Sequence, residues 1–209
     1  EMHVTGMYCF NAIGEKIDPF IILTNIENLP IELQNLKAFF CSQRSGWMKS
    51  KLFIVFCIYF AAKVSHYRLQ LPPNLASEPT ILIVDNHPSR ISYFAIEFLK
   101  QNNIHLLTMP PHSSHILQPF DVSMMNKNKI DKEVNNFSKN FGSNAAHAQY
   151  IIASNIINSW NSIKIETLKN VIKTLSDASN QNDLETKLNN TNDQLSIIKD
   201  ELKQLQNKS

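Results

Sequence analysis

Apolar positions along the chain change period several times, and each change predicts an element. Residues 4–11 and 17–23 are rich in aromatic and branched side chains and flank Ile13, Gly14, Glu15 and Lys16. That arrangement predicts two strands joined as an antiparallel hairpin. Residues 25–50 carry no strong period and read as connections. Apolar residues then run almost unbroken from Leu52 to Ala62, between Lys51 and Lys63. The run is shorter than the ~20 residues that span a bilayer, so it predicts a helix over 51–65 buried within a domain and no membrane partner.

After Pro72 and Pro73, the branched run from Thr80 to Val84 ends in Asp85 and predicts a buried strand. Ile91, Phe94, Ala95, Phe98 and Leu99 share one helical face, with Pro88 suited to the first turn and Lys100, Gln101 and Asn102 closing the helix. Residues 104–109 form a second strand, stopped by Pro110 and Pro111. Strand, helix and strand with short joints make a βαβ crossover, so the two strands should be parallel neighbours. Asp85 then stands at the carboxyl edge, where open α/β sheets place their chemistry. The fold class expected is α/β.

From Pro111 the chain runs without periodicity to Asp121, which can return to the strand edge that holds Asp85. Beyond Asp121 the pattern is helical: Ser143 or Asn144 can cap a helix running to Ser159, and residues 165–175 give another. Residues 181–209 contain no Gly, Pro or aromatic residue. Leu184, Leu188, Leu195, Ile198, Leu202 and Leu205 trace a heptad seam there, weakened by Thr191, which predicts a short coiled coil capable of weak self-association. Three units follow: a core over 1–140, a helical extension over 141–180, and the coil over 181–209.

A net charge of +2 from 20 basic and 18 acidic residues does not argue for nucleic-acid binding, so any DNA contact must be local. The densest basic stretch is Lys127, Lys129, Lys132 and Lys139, interrupted by Asp131 and Glu133; it reads as a solvated helix face or as a set of phosphate contacts. Cys9, Cys41 and Cys57 are odd in number and widely spaced, which argues against a disulfide scaffold or a zinc ribbon and for reduced, buried thiols. His112 and His115 lie three apart with no cysteine nearby, a better fit to a structural or supporting role near Asp121 than to zinc. Trp47 and Trp160 are most simply core anchors, although an exposed Trp could stack on an unpaired base.

The segments 83–89, Ile-Val-Asp-Asn-His-Pro-Ser, and 110–122, Pro-Pro-His-Ser-Ser-His-Ile-Leu-Gln-Pro-Phe-Asp-Val, resemble the second and third catalytic blocks of the DDE superfamily endonucleases. The likeness is greatest to the pogo, Tigger and jerky-like transposases of the mariner group. Upstream, residues 3–5, 11–14 with 19–22, and 45–48 resemble that family's preceding blocks in order, and residues 159–168 resemble its helical tail. The resemblance implies an RNase H-like fold in which three acids hold two Mg²⁺ or Mn²⁺ ions for DNA cleavage and strand transfer in the nucleus. Hard cations favour carboxylate oxygens, and two ions roughly 3.5–4 Å apart can stabilise both the attacking and the leaving oxygen.

On the family pattern Asp85 is the second acid and Asp121 the third, both metal ligands and catalytic. The first acid has no match among Glu1, Glu15, Asp18, Glu27, Glu32 and Glu78, the acids that precede Asp85. The expectation is therefore a copy that lacks the first strand with its carboxylate, is truncated at its amino end and inactive, or else serves as a DNA-binding or interaction module. The resemblance makes His87, Arg90, His112 and His115 supporting or DNA-contact candidates, with Arg90 standing where relatives often carry His.

Overall fold

The computed structural model describes residues 3–29, 31–109 and 145–179. The amino-terminal hairpin is present. Strand β1 (Thr5–Met7) pairs antiparallel with β2 (Phe20–Thr24), with Gly6 opposite Ile21. The turn is built around Asn11, whose side-chain Oδ1 accepts hydrogen bonds from the Ile13 and Glu15 amides at 3.2 and 2.9 Å, while Gly14 takes φ +82°. An Asn that mimics a backbone turn, followed by a glycine in left-handed conformation, closes the loop at little steric cost.

Residues 25–50 hold more than connections. They contain a short helix α1 (Ile31–Gln34) and strand β3 (Phe39–Gln43), which runs parallel to β2 with Phe39 opposite Phe20. The rings of that pair stack with centroids 5.1 Å apart. The strand is held by its backbone ladder to β2 along its whole length, with the ring pair added at one end, and such long-range pairing leaves no local periodicity to read. Asn25 and Gly46, on either side of this insertion, both have positive φ.

Helix α2 (Ser50–Arg68) is the central support. Phe53, Phe56, Cys57, Phe60 and Ala61 recur at three- and four-residue spacing and are all buried on one face. They meet Phe20 and Ile22 of β2 on one side. On the other side they meet Leu82 and Val84 of β4 (Thr80–Val84), together with Ala95 and Leu99 of α4 (Tyr93–Gln101) and Ile104 of β5 (Ile104–Thr108). Between α2 and β4 the proline joint forms a single turn, α3 (Pro73–Ala76). β4 and β5 are parallel, Thr80 opposite Ile104 and Val84 opposite Thr108, so the βαβ unit is present. Arg68 joins α2 to it, donating to the Asn102 and Asn103 carbonyls at 2.8 Å each and to Thr80 Oγ1 at 3.0 Å.

Pro88 does not begin helix α4. It opens a separate 3₁₀ turn over Pro88–Arg90, and α4 starts at Tyr93 with the Ser92 hydroxyl accepting from the Ala95 amide. The buried face of the helix is narrower than the expected one. Ala95 and Leu99 are buried and Phe98 is partly buried, but Phe94 is 74% exposed and Ile91 lies outside the helix, in solvent.

Helix α5 (Ala145–Ser162) covers the opposite face of β2, where Ala153, Ile156 and Ile157 enclose Ile21, Leu23 and Leu33. Gln149, almost fully buried, forms a two-point bond with the Thr24 backbone: its amide donates to the Thr24 carbonyl at 2.9 Å and its carbonyl accepts from the Thr24 amide at 2.6 Å. At the other end of α5, Lys16 Nζ donates to the carbonyls of Trp160, Asn161 and Ile163. A cation at that place satisfies helix-end carbonyls and complements the helix dipole. Trp160 is buried and donates to the Ile17 carbonyl at 3.0 Å, in keeping with a core anchor. Helix α6 (Ile165–Ser179) follows directly. The expected unit boundaries at 140 and 180, and the coil over 181–209, lie outside the described residues.

Candidate active site

The carboxyl edge of β4 gathers the described site residues. Leu82 and Val84 point into the core, so the backbone that carries Asp85 is fixed from beneath. Met109 donates its amide to the Val84 carbonyl at 2.8 Å, which brings the exit of β5 beside the residue preceding Asp85. The 3₁₀ turn then folds back over the edge. His87 Nδ1 accepts the Ser89 amide at 3.2 Å and lies 2.8 Å from Ser89 Oγ, capping the turn while its ring stays exposed. With Nδ1 accepting, the ring proton sits on Nε2.

The turn delivers Arg90 onto Asp85. Arg90 Nε donates to Asp85 Oδ1 at 2.9 Å and Nη2 faces Oδ2 at 3.4 Å, a two-point fork in which the side chains are 12% and 26% exposed. Nη1 reaches toward Ser89 Oγ at 3.4 Å, and the guanidinium lies 5.5 Å from the ring centroid of Phe53 on α2. A planar guanidinium suits both partners, one by bidentate bonding and the other by stacking. Sequence reasoning does not find this pairing, because its only linear trace is a five-residue separation across a proline turn.

Asp121, His112, His115, Lys127, Lys129, Lys132 and Lys139 lie outside the described residues. Of the other acids, Asp18 binds Lys63 at 2.7 Å. Glu15 bonds Asn11 and the Tyr67 hydroxyl, and this second hydrogen bond is the main cause of the raised Tyr67 pKa. Trp47 is not the core anchor expected: it is 56% exposed, with the His3 ring 4.6 Å away and tilted 43°. It follows Gly46, a glycine of positive φ beyond the end of β3.

The sequence pattern of the DDE superfamily endonucleases matches residues 1–186. The chain belongs to that family. A curated relative, the MFS-type transporter clz9 of Cochliobolus lunatus, is 30% identical over 123 residues, which make up 57% of this chain but 12% of that protein. The transport activity in that name belongs to that protein. Among the described residues no helix is long and apolar enough to cross a membrane. No solved structure matches the chain.

Members of the family act on DNA with divalent metal, so the described residues can be compared with that need. No group of three His, Cys, Asp or Glu side chains is arranged to hold a metal ion among them. Asp85 is the carboxylate at the edge, and both of its oxygens already face Arg90 nitrogens. These residues do not fit a two-ion centre.

Proposed function

We propose that this chain is the catalytic-core region of a pogo-like DDE transposase, related to the Tigger and jerky-like group, whose reaction class is metal-dependent DNA cleavage and strand transfer. The observation that carries the reading is Asp85 at the carboxyl edge of a parallel βαβ unit, within a chain matched by the family pattern over residues 1–186. On this reading the strands belong to an RNase H-like fold. Asp85 and Asp121 are the second and third acids, Mg²⁺ or Mn²⁺ is the metal, and the protein works on nuclear DNA.

The described residues assign limited chemistry to this edge. β4 fixes the position of a carboxylate, the 3₁₀ turn sets His87 in solvent beside it, and Arg90 neutralises it. Strand cleavage by the 209-residue chain is therefore expected at background. The Arg90–Asp85 pair favours a second reading, a transposase-derived DNA-binding or protein-interaction module without catalysis. Nicking of supercoiled DNA with Mg²⁺ or Mn²⁺ separates the two once a strand ending in Asp is fused ahead of the chain: nicking that then appears and is lost in Asp85→Ala supports the catalytic core, and DNA binding that still comes without nicking supports the module.

DNA binding itself is expected to be weak, indifferent to sequence and steeply salt-dependent. Replacing Lys127, Lys129 and Lys132 by Gln should weaken binding equally on unrelated duplexes. It should also flatten the salt dependence by about 0.9 log unit per log unit of salt for each phosphate that a removed lysine had neutralised. Fluorescence anisotropy on several duplexes at two salt concentrations measures this. A strong preference for one duplex at physiological salt would overturn it.

A further inference from the structure

The bidentate contact between Arg90 and Asp85 takes up the one carboxylate that the described strand edge offers. The guanidinium is held by three independent features: the fork onto both Asp85 oxygens, the Ser89 hydroxyl near Nη1, and the Phe53 ring. Ser89 is itself buried, and His87 bonds both its amide and its hydroxyl, so the turn that presents Arg90 is braced from its amino-terminal side. Arg90 cannot lose its charge in a protein, and a charge-assisted fork is among the stronger polar contacts available. A divalent cation seeking Asp85 must displace a positive charge already bonded to both oxygens.

We propose that Arg90 is a built-in cation that occupies the place of a metal ion at Asp85, and that it sets the metal affinity of this edge. The inference rests on the reading of Asp85 as a metal-binding acid. Arg90 is a positioning residue, since it acts on Asp85 and not on a substrate. Removing it while keeping the turn leaves Asp85 half-buried and open to a hard cation, which favours carboxylate oxygen.

The probe is Mn²⁺ alone, titrated into the full chain and followed by the electron paramagnetic resonance of the free ion. Arg90→Gln should bind Mn²⁺ at least about tenfold more tightly than the native chain, the equivalent of one charge-assisted hydrogen bond. Arg90→Gln combined with Asp85→Asn should return to the native level, which places the gained ion at Asp85. Arg90→Lys, which keeps the charge without the fork, should fall between.

A folded Arg90→Gln chain with native Mn²⁺ affinity, or one whose gain survives Asp85→Asn, overturns the proposal. Should Arg90→Gln fail to fold, the native chain supplies the test through the nuclear magnetic resonance signal of the Arg90 Nε–H. Slow solvent exchange that persists in millimolar Mg²⁺ supports the built-in cation, and exchange that becomes fast as Mg²⁺ is added overturns it. Anisotropy on the same samples reports DNA binding. A chain that shows the Mn²⁺ behaviour but no DNA binding leaves this inference standing and removes DNA from the proposed function.

Discussion

β2 and β4 are both five-residue apolar strands, yet they are buried differently. Phe20, Ile21, Ile22 and Leu23 are all inside, because α2 covers one face of β2 and α5 the other. In β4 only Leu82 and Val84 are inside. Ile81 and Ile83 face outward with Leu107, the β5 partner of Ile83, and Ile83 is 59% exposed. A continuous apolar run is thus compatible with a strand clamped on two faces or with one covered on a single face. What separates them is a helix far away in the sequence. The clamped strand is the mechanical centre of the molecule, and the half-covered strand carries the candidate chemistry at its end.

The largest expected effect tests that contrast directly. Ile21→Ala removes packing between β2 and α5 and should cost about 2–5 kcal/mol, whereas Ile81→Ala on the exposed face of β4 should stay within about 0.5 kcal/mol. Urea denaturation of the two variants measures it, and equal losses would show that the outer face of β4 is covered in solution.

Gln149→Ala comes next. It strands the Thr24 amide and carbonyl, at a cost of about 1–3 kcal/mol, with protection of the Thr24 amide from hydrogen exchange disappearing before that of β4. Unchanged exchange at Thr24 would mean that α5 is not fastened to β2 there.

Gly14→Ala should cost about 1–2 kcal/mol, since φ +82° is unfavourable for any side chain. The added carbon would also run into Ile165, so the loss should be accompanied by loosening at the start of α6, read from amide shifts.

The last effect is absent at neutral pH and appears only in alkali. Burial pushes the thiols of Cys9, Cys41 and Cys57 from an ordinary 9.0 up to about 12, with Cys57 adding to the shift at Cys9 and Arg90 opposing that at Cys57. Folded thiols therefore hold protons that unfolded ones release. Their contribution is fully present below pH 9.0 and is lost as pH rises toward about 12. Replacing all three by Ser should flatten the fall in stability over that window, as measured by thermal melting.

Much of the backbone was legible from local pattern. The hairpin announced itself through Gly14, the α2 face through the spacing of its Phe residues, and the βαβ unit through Thr80–Val84, Tyr93–Gln101 and Ile104–Thr108. Three features were not legible, each for a long-range or geometric reason. β3 is held by backbone pairing with β2, α4 starts five residues after Pro88 because a 3₁₀ turn intervenes, and Trp47 stands exposed just after the turn at Gly46. At the site, the position of Asp85 followed from the strand's end. The partner of its carboxylate did not, since a salt bridge across a proline turn has no periodic signature.

The bond between Thr24 and Gln149, 125 residues apart, has a consequence during synthesis. On a ribosome adding about 5–20 residues per second, β2 waits roughly 6–25 s for its second cover to emerge. During that interval Ile21 and Leu23 belong to a nascent chain with one side of its central strand bare. A chain stalled before Ala145 should therefore leave Ile21 and Leu23 open to proteolysis, and completion of α5 should protect them.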